Sequence, residues 1–207
     1  MENKTHYIVS CTNENPIYHT FVPTVYQMWK ILIPECKFIL GYVGNKEKDD
    51  PFVKRLSEFC DELHCFKLIP GVTEGCQAKT TRMYLATLYN TNVCSILDID
   101  QYVLNVKWFL DKIKPSFTEK KFVAIGHNHY YGTPDNGKFP MAYSSAPSDI
   151  WKKIINPKNL SYTSWFEYIS NLPNPIDNKE NPKNVFNRFS DESLLRYLLE
   201  RHEDREF

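Results

Sequence analysis

Along the first hundred residues, short apolar runs alternate with amphipathic stretches. Tyr7 to Cys11 (YIVSC) reads as a buried strand, and Phe38 to Val43 (FILGYV), His64 to Ile69 and Val93 to Leu97 read as the second, third and fourth. Asn15-Pro16 offers a cap and a first helical position, predicting a helix toward Leu32 that Pro23 must restart or kink. Pro51 to Cys60 sets Phe52, Leu56 and Phe59 on one face, and Gly75 breaks the chain before a helix from about Cys76 to Tyr89. Alternating strand and helix predicts an α/β fold, a mostly parallel sheet with helices on both faces.

The second half is less regular. A short helix is expected over Val106 to Ile113, strands over Phe122 to Gly126 and Pro140 to Ser144, and a helix over Ser148 to Ile155. Residues 156–183 are rich in Asn, Pro and Lys and read as surface loop with one short helix near Trp165. Ser190 to His202 predicts a last helix with Leu194, Leu195, Leu198 and Leu199 on one side. No repeat or linker divides the chain, so its 207 residues are expected to form one domain.

Composition changes this picture mainly by exclusion. Lys plus Arg and Asp plus Glu each number 25, so the net charge is zero, which disfavours a nucleic-acid partner and gives no hint of membrane attachment. The chain has no run approaching the ~20 apolar residues of a spanning helix. Its N-terminus resembles neither a signal peptide nor an anchor, and none of the six cysteines form a C-x-x-C pair. They read as free thiols in a reducing compartment, and the expected location is cytoplasmic. Only seven glycines argue against a Gly-rich phosphate loop.

Candidate chemistry centres on SILDIDQYVL, where Asp98 and Asp100 follow the fourth apolar strand. Open parallel sheets bind ligands outside the carboxyl ends of their strands. Residues i and i+2 of an extended chain share a side, so both carboxylates can converge. Two such charges repel unless a hard cation joins them, and Mg²⁺ or Mn²⁺ takes one or two carboxylates and completes its shell with water and phosphate oxygens. The alternative is a turn, where Asp is common. In GCQAKTTRMYLATLY, Lys79 and Arg82 share a helix face near its start. Cations there oppose the macrodipole unless an anion binds, so they read either as a diphosphate site or as solvated surface charges.

Further candidates are weaker in pattern. Asp191 and Glu192 follow Ser190 at a helix start, where capping and dipole complementarity also explain them. His127 and His129 share a strand face and could ligate a metal, although polar loop contacts from His127 or Asn128 to a bound ligand read better. Tyr130, Tyr131, Tyr143, Trp151, Trp165 and Phe166 could present flat faces to a ligand or simply fill the core.

YIVSCTNEN, GCQAKTTRMYLATLY, VCSILDIDQYVL and SDESLLRYLL, in this order, resemble the GT-A class of nucleotide-sugar glycosyltransferases, and most narrowly a small chlorella-virus-type glycosyltransferase domain. The resemblance implies a GT-A (Rossmann-like) three-layer sandwich over 1–207, with a nucleotide-binding half (1–104) and a sugar/acceptor half (105–207). It implies transfer of a hexose from a UDP-sugar such as UDP-glucose to a glycan or other hydroxyl acceptor, in host cytoplasm if the chain is viral. It implies Mn²⁺ or Mg²⁺ on Asp98 and Asp100, nucleotide contacts from Ser10, Cys11, Thr12, Lys79, Arg82, Asp98 and Ile99, His127 or Asn128 lining the sugar or acceptor pocket, an aromatic face for the sugar, and Asp191 or Glu192 at the sugar or as base. Many members add a His ligand from a C-terminal H-x-x-G-type loop. That loop is missing here, so His202 is its weak substitute, water completes the shell, or the chain is part of a longer polypeptide.

Two other classes fit parts of the pattern. A haloacid-dehalogenase-type phosphatase also places D-x-D after an apolar strand, but on an early strand and with a small or β-branched residue where Tyr102 stands. A non-catalytic nucleotide-sugar-binding module would bind without turnover.

Overall fold

The computed structural model describes residues 5–90, 92–126, 139, 141–172 and 190–202. The sheet contains β1 (His6–Thr12), β2 (Lys37–Val43), β3 (Glu62–Phe66), β4 (Val93–Ile96), β5 (Val123–Ala124) and β6 (Ser144–Pro147), in the spatial order β3-β2-β1-β4-β6-β5. β1 pairs in parallel with β2 and β4, and β2 with β3, while β6 lies antiparallel to both β4 and β5. The mostly parallel sheet expected from the sequence is present.

The helices are α1 (Pro16–His19), α2 (Val22–Leu32), α3 (Pro51–Ser57), α4 (Glu74–Ala86), α5 (Val106–Thr118), α6 (Ser148–Ile155), α7 (Tyr162–Ser170) and α8 (Ser190–Glu200). Local chemistry starts several of them. Asn15 caps α1 by accepting from the Ile17 amide, and Asp50 caps α3 by accepting from the Phe52 amide at 2.8 Å, each with proline next in line. Pro23 sits at the start of α2, so the predicted helix toward Leu32 is split, as the proline required.

The two-residue period of a strand distributes β1, β2 and β4 over two cores. Val9, Ile39 and Ile96 pack with Met83 and Leu85 of α4, Trp151 of α6, Trp165 and Phe166 of α7 and Leu195 of α8. Ile8, Phe38 and Leu40 pack on the other face with Val25 and Trp29 of α2, Val53 of α3, and Phe109 and Ile113 of α5. Two of the three buried indoles find acceptors: Trp151 Nε1 donates to the Cys94 carbonyl at 3.0 Å and Trp165 Nε1 to the Ile155 carbonyl at 2.8 Å, while Trp29 Nε1 is buried without one among the described residues. Helices therefore cover both faces, giving three layers.

The structure corrects the strand readings of the second half. The strand expected over Pro140 to Ser144 is instead β6, whose Ser-Ser-Ala-Pro is buried throughout. These residues carry no apolar run because their neighbours are hydroxyls. The Ser95 and Ser145 hydroxyls meet, His6 Nε2 lies 2.8 Å from Ser95 Oγ, and Ser116 Oγ donates to the Ser145 carbonyl at 2.9 Å. Small side chains with paired hydroxyls are buried at low cost. β5 shrinks to two residues, β3 begins at Glu62 and ends at Phe66, and α5 runs past Ile113 to Thr118 with Pro115 inside.

Candidate active site

Strand order puts the switch point between β1 and β4. From β1 the chain moves to β2 and β3 on one side, then crosses to β4 on the other. The carboxyl ends of such neighbouring strands leave a crevice. A cleft of ≈ 440 Å³ occupies this place, lined by Cys11 and Thr12 at the end of β1 and Asn13 just past it, by Cys76, Ala78, Lys79 and Arg82 of α4, and by Asp98, Ile99 and Asp100 after β4. Tyr18, Thr73 and Gly75 complete the wall.

The D-x-D segment is a turn, not the extended chain the sequence reading assumed. The Leu97 amide still donates to the Val9 carbonyl at 3.0 Å, but the Gln101 amide then donates back to the Asp98 carbonyl at 3.2 Å. Ile99 is 5% exposed and joins Leu97 and Val103 in one core, anchoring the turn. Asp98 is half-buried and Asp100 exposed, and both line the cleft.

Arg82 lines the cleft and is also held by the protein's own carboxylates. Its guanidinium is 3% exposed and lies between two carboxylates, pairing Nη1 with Asp98 Oδ1 and donating from Nη2 to Asp191 Oδ2 at 3.0 Å. Its Nε donates to the Lys79 carbonyl at 3.1 Å. Burial alone would lower the Arg82 pKa, but the charges of Asp98 and Asp191 outweigh it and push it up. The reading of Lys79 and Arg82 as cations at a helix start is also corrected. α4 begins at Glu74, so they fall in its second and third turns, beyond the reach of the dipole.

The other expected residues divide. Cys11 and Thr12 line the cleft, and burial pushes the Cys11 thiol up to about 12 against the opposing charge of Arg82, so it is a neutral wall group. Ser10 does not line it: its hydroxyl, fully buried, donates to the Leu97 carbonyl at 3.0 Å and ties β1 to the end of β4. Asp191 is 4% exposed in the first turn of α8, behind Arg82, and neither it nor Glu192 is in the cleft wall. His202 lies past the other end of α8, about 16 Å along the helix axis from Asp191 at 1.5 Å per residue. Among the described residues, no group of three His, Cys, Asp or Glu is placed to hold a metal ion. His127, Asn128, His129, Tyr130 and Tyr131 lie outside the described residues.

Sequence reasoning missed Asn13, Tyr18, Thr73 and Gly75 of the cleft wall, and it named Tyr143 only as one aromatic among several. Tyr143 adopts φ 64°, a left-handed conformation a bulky side chain rarely takes, and burial followed by the charge of Asp98 raises its pKa. The residue types carry no motif, so only proximity reveals them. The Arg82–Asp191 contact spans 109 positions and leaves no local signal.

No family model and no curated protein matches the chain. Among solved structures, the chain is similar to galactosyltransferase LgtC in complex with donor and acceptor sugar analogs, at 15% identity and a TM-score of 0.46 over 93% of this chain and 70% of that one. It is also similar to an active-site mutant of LgtC, at 16% identity and 0.49 over 93% and 69%. These likenesses concern arrangement, and the functional reading rests on the cleft itself.

Proposed function

We propose that the chain is a metal-dependent glycosyltransferase that moves a hexose from a UDP-sugar to a hydroxyl acceptor. The observation that carries this is the pair Asp98 and Asp100 in one cleft at the β1/β4 switch point. The charges lining that cleft cancel, Lys79 and Arg82 against Asp98 and Asp100, and Asp191 behind them tips the balance to acidic. A diphosphate gains nothing from such a wall unless a divalent cation joins it. Two carboxylates at a solvent-open cleft are an oxygen donor set suited to Mg²⁺ or Mn²⁺, which keep several positions for water and phosphate.

Asp98 and Asp100 would hold the cation, with Asp100 the more available because Asp98 also serves Arg82. When bound, the cation neutralises charge gathering on the departing diphosphate. Lys79 on the same wall adds a second positive charge near the leaving group. Cys11, Thr12, Asn13 and Tyr18 border the space for the nucleoside. Arg82 and Asp191 act through Asp98: the guanidinium fixes one carboxylate oxygen, and Asp191 fixes the guanidinium. This reading gives Asp191 a positioning role in place of the expected base.

Calorimetry with UDP, with and without Mn²⁺, followed by an assay of UDP release from UDP-glucose and other UDP-sugars, tests the proposal. Mn²⁺-dependent binding with turnover supports it. Binding without turnover on any donor makes the chain a nucleotide-sugar-binding module, and a trapped phosphoaspartate at Asp98 makes it a phosphatase.

A further inference from the structure

The chain is neutral overall, but its charge is unevenly spread. Residues 106–121 carry Lys107, Lys112, Lys114, Lys120 and Lys121 against Asp111 and Glu119, a surplus of three positive charges, all exposed. Lys107 pairs with Asp111 and Lys121 with Glu119. Lys112, Lys114 and Lys120 meet no carboxylate among the described residues.

The same surface exposes large apolar side chains. Leu104, just before α5, is 97% exposed, Trp108 in its first turn 45%, and Tyr102 and Leu110 are also open. On the helix, Trp108 shares a face with Lys112, and Leu110 lies in the stripe of Lys107 and Lys114. The Tyr102 ring meets Phe21 with centroids 6.3 Å apart, which carries the patch toward exposed Ile17 and Tyr18. Tyr18 also lines the cleft.

We propose that this face docks on an anionic lipid surface. Isolated exposed apolar residues need no explanation. Here an aliphatic and an indole side chain stand at the start of a helix whose next turns carry Lys112 and Lys114, which meet no carboxylate among the described residues, and that combination selects among partners. A polyanion such as nucleic acid would use the lysines but not Leu104. A second copy would use the apolar groups but bring lysines against lysines across a two-fold contact. At a bilayer, Leu104 and Trp108 enter the headgroup–acyl boundary while the lysine ammonium groups meet acidic headgroups. Among the described residues no helix is long and apolar enough to cross a membrane, so this is attachment to one leaflet. The inference stands apart from the glycosyltransferase reading, since it invokes neither the metal nor the donor.

The chain carries its own reporter. It has four tryptophans, and Trp29, Trp151 and Trp165 are each fully buried, so Trp108 alone senses its surroundings from the surface. The 207-residue chain is mixed with phosphatidylcholine vesicles, with and without phosphatidylserine, and followed by co-sedimentation and tryptophan emission. Expected are sedimentation with the acidic vesicles only, a blue shift absent from Trp108→Phe, and weakening as salt rises. Leu104→Asp should weaken binding by about tenfold or more. Lys112→Glu with Lys114→Glu should do so by at least about tenfold. UDP binding measured beside them should not change. No sedimentation, an unshifted emission, or undiminished binding by Leu104→Asp overturns the proposal. A dimer in sedimentation velocity that Leu104→Asp dissolves assigns the face to a second copy instead.

Discussion

Strands β1 and β4 lie side by side, and their two ends bury polar groups in opposite ways. At the end where the strands begin, His6, Ser95 and Ser145 form a neutral hydrogen-bonded seam, closed off by Phe109 and Phe117 against the imidazole. At the carboxyl end, Arg82, Asp98 and Asp191 bury charge beside an open cleft. At the first end the polar groups pair with one another and are buried. The second keeps Asp98 partly open and adds Asp100 in solvent. Neutral polar groups stabilise a fold cheaply when paired, whereas buried charge is retained at a cost that an apolar replacement would avoid. That contrast favours the proposal that places the site at the carboxyl ends of the strands.

Substitutions at the two ends sharpen the contrast, and the largest stability effect is expected at Arg82. Arg82→Met leaves Asp191 buried and unpaired, which should cost roughly 3–5 kcal/mol in urea unfolding. Replacing both Arg82 and Asp191 with apolar residues should recover part of that loss, since no charge is then stranded. If Arg82→Met unfolds like the parent chain, the ion pairs do not hold α8 to α4.

At the neutral end the lever is pH. Burial pushes the His6 pKa down from 6.5 to about 3. The unfolded chain therefore takes up a proton below about pH 6.5 that the folded chain refuses until about pH 3, so stability falls as pH drops through that window. The loss is on the order of 3 kcal/mol at pH 4. His6→Gln, which cannot charge, should flatten this part of the pH–stability curve, and an unchanged slope would place the acid sensitivity elsewhere.

A smaller effect is expected beneath the cleft. A Cβ at Gly41 would lie 2.8 Å from both Cys11 Sγ and Leu85 Cδ1. Gly41→Ala should cost about 1–3 kcal/mol through overpacking and displace Cys11 in the cleft wall. Thermal melts together with UDP titration check both consequences. Smallest of all, Lys107→Ala removes an exposed pair with Asp111 and should change stability by less than about 0.5 kcal/mol.

The two ends also differ in how much of them the sequence disclosed. Strands buried on both faces read as continuous apolar runs, so YIVSC, FILGYV and the run before Asp98 were legible, and with them the parallel sheet. β6 was illegible because serines paired to serines and a histidine carry no hydrophobic period. The D-x-D pattern marks Asp98 and Asp100, but side chains alternate only along an extended strand, and the chain turns at Asp98. Arg82 was legible as a charged cleft residue, but its contact with Asp191 was not, since Asp191 is distant in sequence. The basic, apolar face of α5 was hidden in a net charge of zero, because composition sums what the fold separates.

One titration tests the central claim most directly. UDP is titrated calorimetrically into the chain with Mn²⁺, then with a chelator, and then into Asp100→Asn with Mn²⁺. Asp100 is exposed, so this variant should melt within about 0.5 kcal/mol of the parent. The account predicts binding that needs Mn²⁺ and is lost in Asp100→Asn. UDP binding of equal strength in the chelator, or undiminished in the variant, would contradict it.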